Sequence, residues 1–277
     1  MIQTIKIHNL TMGTLDSGYI FGNLTGFGFP SLKVDVKERG STHGADLGVS
    51  LYGRRVMGIE LEIIGKNTTD YETKRRALES ACDITRGLQR IYITTRSGIE
   101  VICDAIVTGD FDLPYTKGQM IFSSVRLELT APYPFFSSKD QKSSLISLWS
   151  GGGWGLPFEL PLDMSCGGDV IANVVNDGNT KSYPIITLYG QLEDPILTNE
   201  TNDESFSIDY EIADASQVVI DTFNRTIILN GTTNLRQYFS GDWLSLDAGG
   251  NGIKLTATTY GYNALVLITY RDSYLGL

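Results

Sequence analysis

The run Met120-Ile121-Phe122-Ser123-Ser124-Val125-Arg126-Leu127-Glu128-Leu129-Thr130 is strand-like along its length and stops at Ala131-Pro132-Tyr133-Pro134-Phe135-Phe136, near the middle of the chain. Each proline fixes its own φ and pushes the residue before it, Ala131 or Tyr133, towards extended geometry. A sheet ladder therefore ends there, and the chain leaves as a stiff, aromatic connector. Charge changes across the same seam: residues 1–140 hold 16 Lys/Arg and 16 Asp/Glu, residues 141–277 hold 6 and 16, so the net −10 lies wholly in the second half. With 277 residues and 42% hydrophobic content there is enough apolar material for two ordinary cores. The expected organisation is a first domain over 1–138, a linker over 139–157 and a second domain over 158–277.

Several function classes are disfavoured by what the chain carries. Cys82, Cys103 and Cys166 are odd in number, widely spaced and outside any C-x-x-C pattern, which argues against a disulfide framework or a zinc site and for buried thiols. Residues 1–8 alternate instead of forming a cationic patch followed by an apolar core, so no secretory signal is read, and no apolar run reaches membrane-spanning length. Tight nucleic-acid binding needs many cations set against phosphates, and the chain offers only Arg54-Arg55 and Lys74-Arg75-Arg76 as clusters.

Strand signals occupy residues 2–8, 32–37, 56–64, 90–95, 99–107 and 119–130. In Ile59-Glu60-Leu61-Glu62-Ile63 the apolar side chains share one face and the carboxylates the other. One helix is expected near 70–86, with a Thr69/Glu72 capping box, Tyr71, Leu78 and Cys82 on one face, and Gly87 at its end. The second half shows no helical period. Its short runs, including 170–175, 183–189, 217–222, 243–246, 253–259 and 264–271, alternate with turn clusters such as Asn176-Asp177-Gly178-Asn179, Asn230-Gly231 and Ala248-Gly249-Gly250-Asn251-Gly252, the spacing of a sandwich. The stretch 150–155, flanked or entered by Trp149 and Trp154, reads as a flexible strap whose glycines lack the Gly-Lys-Ser/Thr of a phosphate loop. The expected fold class is mainly β: a sandwich or barrel-like first domain with one packed helix, then a β-sandwich.

No catalytic constellation is legible. His8 and His43 stand in no metal or nucleophile motif, no G-x-S-x-G elbow exists, and Glu60/Glu62 and Asp110/Asp112 are the ordinary product of alternation on a wet face. The acidic turn at Asn202-Asp203-Glu204 and the loop around Asp247 follow no calcium-ligand pattern. The chain is therefore expected to be no enzyme and to need neither cofactor nor metal. Aromatics late in the chain, Trp243, Tyr260 and Tyr262, are candidate sugar contacts, since sugar-binding sandwiches stack rings on Trp or Tyr; a tryptophan that anchors the core or a turn is the competing reading of Trp243.

The order of these pieces resembles the distal tail proteins of long-tailed, non-contractile bacteriophages, the siphovirus-type tail components. The resemblance rests on Gly26-Phe27-Gly28-Phe29-Pro30, a loop with Gly44 and Gly48, the strand Arg55–Gly65, the helix, and the closing Leu127–Phe136. In the second half it rests on Val174–Asn179, Tyr183–Gly190, Asp194–Asn199, Val219–Thr222, Trp243–Leu246 and Gly250–Ile253. It implies a first domain that assembles into a ring, usually a hexamer, at the virion tail tip, with a galectin-like or carbohydrate-module-like sandwich projecting outward. The partners implied are the tail-tube protein, the tail-associated hub protein and, in some relatives, receptor-binding proteins; DNA would pass through the ring without specific binding. The polar, glycine-punctuated loop from Glu38 to Gly53 is the candidate intersubunit arm, with Glu38, Arg39, His43, Asp46 and Tyr52 as its residues. The alternative is a carbohydrate-binding adhesion module of a phage or prophage-derived particle.

Overall fold

Alternation sets the first sheet: in the strand Arg55–Ile64, Met57, Ile59, Leu61 and Ile63 are buried, while Val56, Glu60 and Ile64 are exposed. The computed structural model describes residues 2–109, 121–148 and 170–277, and those residues are mainly β with one α-helix. It divides into two units, Met1–Lys139 with Tyr274–Leu277, and Asp140–Ser273. The main sheet of the first unit runs Leu10–Met12, Ile2–Ile7, Gln89–Thr95, Glu100–Val107, Phe122–Ala131, Arg55–Ile64, Tyr19–Thr25. Neighbouring strands pair antiparallel, so one face of each strand feeds a common core that includes Ile5, Ile7, Ile59, Leu61, Ile93, Val125, Leu127 and Phe136.

The helix spans Thr68–Ala81 and buries Tyr71, Leu78 and Ala81. Its cap differs from the expected Thr69/Glu72 box. Asn67 is the N-cap, its Oδ1 accepting the Asp70 N–H at 2.8 Å, and the Asp70 carboxylate reaches back to the Lys66 N–H at 2.8 Å. The same reciprocal pattern thus forms two residues upstream, because Asn caps at least as well as Thr and Asp serves at the third helical position. Gly87, at φ 67°, closes a separate 3-10 turn, Ile84–Arg86, and not the helix.

Arg55 is the largest fully buried side chain among the described residues. Its guanidinium donates to four backbone carbonyls: Pro134 and Gly28 at 2.6 Å, Leu275 at 2.6 Å and Gly26 at 2.8 Å. It also lies 4.2 Å from the centre of the Phe136 ring, a cation–π contact. Burial lowers the guanidinium to about 10, so it stays charged at neutral pH. One side chain therefore ties the glycine-rich segment, the proline-rich seam and the Tyr274–Leu277 segment together.

The second unit holds a six-stranded sheet, in the order Lys142–Ser147, Leu265–Tyr270, Ile185–Tyr189, Gln217–Asp221, Thr226–Leu229, Thr233–Asn234. A five-stranded sheet runs Val170–Asn176, Gly249–Thr256, Ile196–Asn199, Glu204–Ile208, Phe239–Gly241, and Glu211–Ile212, Leu192–Glu193 and Thr259–Tyr260 form a small third sheet. Ile186, Leu188, Val218, Ile220, Val266 and Ile268 from the first meet Val174, Leu197, Phe206, Ile253 and Leu255 from the second in one core. Lys142–Ser147, placed by sequence in the linker, pairs with Leu265–Tyr270. Its serines and single fully buried residue, Ile146, gave it the look of a loop. Trp149, Trp154, the 150–155 strap, Asp110, Asp112 and Cys166 lie outside the described residues.

The stretch after Gly241 makes no strand, contrary to the reading of 243–246; an isolated bridge joins Leu246 to Ser182. Side chains replace the ladder. Asn199 donates to the Ser245 carbonyl at 2.8 Å, Asn176 to that of Leu246 at 3.2 Å and Asn251 to that of Asp247 at 2.9 Å. The Ser245 N–H reaches Glu204 at 2.5 Å and the Asp247 N–H reaches Asn251 Oδ1 at 2.9 Å. All three asparagines are fully buried, as satisfied amides must be if they are to sit in a core. Two turn expectations change in consequence. Gly249–Gly252 opens a strand paired with Val170–Asn176, and Gly178 is needed for close approach, since a Cβ there would lie 1.9 Å from the Ser273 carbonyl oxygen. The Asn230-Gly231 turn forms as read: both residues take left-handed φ, 48° and 73°, and the Thr232 N–H donates to the Leu229 carbonyl at 3.1 Å.

Two outcomes are expected. Arg55→Met should cost more than about 3 kcal/mol in urea unfolding, because buried carbonyls lose their donor at about 1–3 kcal/mol each; a loss under about 1 kcal/mol would contradict the clasp. The hydrogen bond from Lys74, then that from Lys66, holds the Asp70 carboxyl below its usual range. A depressed carboxylate stabilises the fold above its unfolded value and loses that contribution as pH falls through its folded value. Asp70→Asn should therefore lower the melting temperature at neutral pH and flatten its decline on acidification below about pH 4, measured by thermal melts across pH.

Candidate functional site

Residues Leu32–Glu38 and Ala45–Tyr52 form a two-stranded sheet of their own, and every residue of both strands is exposed. The expected polar loop is thus a longer hairpin with an apolar side. Paired residues of antiparallel strands share a face. Leu32 opposite Tyr52, Val34 opposite Ser50 and Val36 opposite Leu47 make one face; Lys33 opposite Leu51 and Lys37 opposite Asp46 make the other, with a bulge after Val34. Leu47 is 75% exposed and Val49 73%. Long exposed apolar strands of this kind are a liability unless something covers them.

The base of the hairpin is braced. Gly53 N–H donates to the Ser31 carbonyl at 2.7 Å, and Ser31 Oγ donates to the Arg54 carbonyl at 2.7 Å. Tyr52 sits edge-on to Phe135, which is edge-on to Tyr133, with ring centres 5.4 and 5.3 Å apart. Arg55 follows directly, so the clasp lies at the root of the arm. Of the residues expected for the arm, Glu38 ends the first strand, Arg39 and His43 lie in the connection, and Asp46 and Tyr52 are on the second strand. Arg39 Nε donates to Asp46 at 2.9 Å, closing the tip. The alternation Leu32-Lys33-Val34-Asp35-Val36 was legible; that nothing in the described unit covers it was not.

The candidate sugar contacts lie in different segments of the second unit. Trp243 stacks on Phe239 at 4.3 Å, with the Arg236 guanidinium 4.8 Å from both rings, and Phe239 stacks on Phe206. Tyr260 belongs to the small third sheet, and Tyr262, 72% exposed, follows it in the turn before Leu265. Glu60 faces solvent opposite Arg126, and His8 takes φ 51° in the turn after Ile7, beside Arg86. Burial pushes the Cys82 and Cys103 thiols up to about 12, which keeps them protonated. Among the described residues no group of three or more His, Cys, Asp or Glu side chains is placed to hold a metal ion, and no helix is long and apolar enough to cross a membrane.

Comparison with known proteins fits this architecture. No curated protein sequence matches the chain. The solved structure of the Dit protein of phage SPP1, described as a paradigm of the hub adsorption apparatus in phages infecting Gram-positive bacteria, is similar over 98% of both chains, with a TM-score of 0.66 at 10% identity. A chain of the phage p2 baseplate in its activated conformation is similar over 97% of this chain and 98% of its own, with a TM-score of 0.50 at 10% identity. The model of the siphovirus-type tail component, C-terminal domain, matches residues 177–274. Residues 177–274 are therefore similar to the siphovirus-type tail component C-terminal domain, and the chain as a whole has the mainly β fold of SPP1 Dit.

Proposed function

We propose that this protein is a structural component of a phage tail tip, a hub of the baseplate located in the virion tail and not an enzyme. The observation that carries the reading is the hairpin Leu32–Tyr52, an apolar surface without cover on a rigid root, in a chain of Dit fold. Copies of the first unit assemble into a closed ring, a hexamer in this reading, and the arm of each copy lays its Leu32, Val34, Val36 and Leu47 face on its neighbour. Closed symmetry removes every exposed arm at once, which an open chain of copies does not. The ring joins the tail-tube protein to the tail-associated hub, and the second unit, which carries the net negative charge, is presented to peripheral adhesion parts. Sugar binding through Trp243 is the weaker reading, because Phe239 and Arg236 already engage the indole.

Light scattering with negative-stain imaging tests this. A particle of six 30.4 kDa chains with a central hole is expected. Val36→Asp with Leu47→Asp should dissociate it while moving the unfolding free energy of the chain by no more than about 0.5 kcal/mol per substitution, since exposed positions contribute little to the isolated fold. A wild-type monomer at every concentration, or a ring indifferent to both aspartates, would overturn the arm reading. DNA passage without adhesion predicts weak retention on double-stranded DNA even at low salt; tight, salt-sensitive retention would contradict it.

A further inference from the structure

Four turns of the second unit converge on a polar groove of about 460 Å³, lined by Tyr189, Asp214, Ser216, Gln217, Asn230 and Asn263 with Gly190 and Ala215. Its frame is bonded internally. The Gly190 N–H donates to the Ser216 carbonyl at 3.2 Å, the Gln217 N–H to Asn230 Oδ1 at 2.9 Å, and Asn230 Nδ2 to Ser216 Oγ at 3.2 Å. Asn263 Nδ2 donates to the Asp214 carboxylate at 2.6 Å. Other groups are unspent. Asn263 Oδ1, without a hydrogen-bond partner, is shut off from solvent, so the free group at the surface of the groove is the Gln217 amide, exposed with no side-chain hydrogen bond among the described residues. Tyr189, half-buried, adds a ring and a hydroxyl at the end of its strand, in register with Gln217.

We infer that this groove binds a neutral saccharide. The size falls in the ~300–1,000 Å³ range of small-molecule sites, but the lining is polar where such sites are mostly apolar, which selects a ligand rich in hydroxyls. The Gln217 amide offers a donor and an acceptor and the Asp214 carboxylate further acceptor sites, which can match vicinal hydroxyls, and the tyrosine offers an aromatic surface. Charge decides against polymers bearing phosphate. The lining holds Asp214 and no Lys or Arg, in the half of the chain with 6 Lys/Arg against 16 Asp/Glu. A single carboxylate, itself bonded to Asn263, does not make a cation site. Trp243, Tyr260 and Tyr262 are not among its lining residues, although Tyr262 directly precedes Asn263, and the proposed binding does not depend on ring assembly.

Saturation-transfer NMR on the full-length protein, with lactose, maltose, cellobiose and chitobiose each at millimolar concentration, tests the inference. Transfer to the ring protons of at least one sugar is expected, with affinity weakened about tenfold in Gln217→Ala and in Asp214→Ala by the loss of a hydrogen-bonding group. Gln217→Ala removes an exposed side chain without a side-chain hydrogen bond in the protein, so it decides the matter should Asp214→Ala disturb its turn. The inference is overturned by absence of transfer from all four sugars to folded protein, by transfer that survives both substitutions, or by transfer lost in Tyr262→Ala while both groove variants still bind. The oligomer mass from light scattering reports separately on the ring.

Discussion

A fully buried guanidinium that is hydrogen-bonded to carbonyls organises the first unit. Arg55 has no carboxylate among its hydrogen-bond partners in the described residues; it spends its donors on Gly26, Gly28, Pro134 and Leu275, the last 220 residues away in sequence. A lysine has three donors on a point charge and cannot hold such a planar spread of acceptors. Desolvating a cation is costly, and the cost is offset here only because four oriented dipoles and the Phe136 ring surround it. The proline-rich seam gains a role beyond ending a sheet: Pro134 has no N–H to place, and its carbonyl is free to face the clasp.

The second unit solves a different problem by similar means. A segment passes by the core with little more than the Leu246–Ser182 bridge for a ladder, and others of its amides and carbonyls are met by Asn176, Asn199 and Asn251, each with donors and an acceptor on one short side chain. Glu204 adds the Ser245 contact, and Lys181 lies 3.3 Å from Glu204 and 3.4 Å from Asp247. Buried networks of this kind are tolerable only when every member is satisfied, so the unit is specified by polar side chains as much as by its apolar core.

The two devices bear on function through rigidity. An isolated two-stranded hairpin is marginal in water, yet the arm here grows from a root fixed by Gly53, Ser31, Tyr52 and Arg55. Holding it in place before association lowers the ordering cost of docking. In the proposed ring, an apolar surface that would otherwise promote aggregation serves as a directed joint between copies.

The sequence by itself determined the local elements wherever one residue's neighbours suffice. Alternation placed Ile59, Leu61 and Ile63 inside, the Asn-Gly pair fixed its hairpin, and the order of motifs pointed to the tail-component fold. It misjudged Lys142–Ser147, because serines on a mostly exposed strand carry no periodic signal, and it set the helix cap two residues late, because Asn67/Asp70 and Thr69/Glu72 satisfy the same local rule. Only the tertiary structure decided what depends on distant partners: that Arg55 is a core residue and no phosphate contact, that three asparagines stand in for a strand, that Tyr189, Gln217 and Asn263 share a groove, and that the hairpin's apolar face has no cover among the described residues of its own unit. Spacing along a chain encodes which face a side chain takes, but burial and satisfaction are properties of contacts between residues far apart in sequence, and those exist only once the chain has folded.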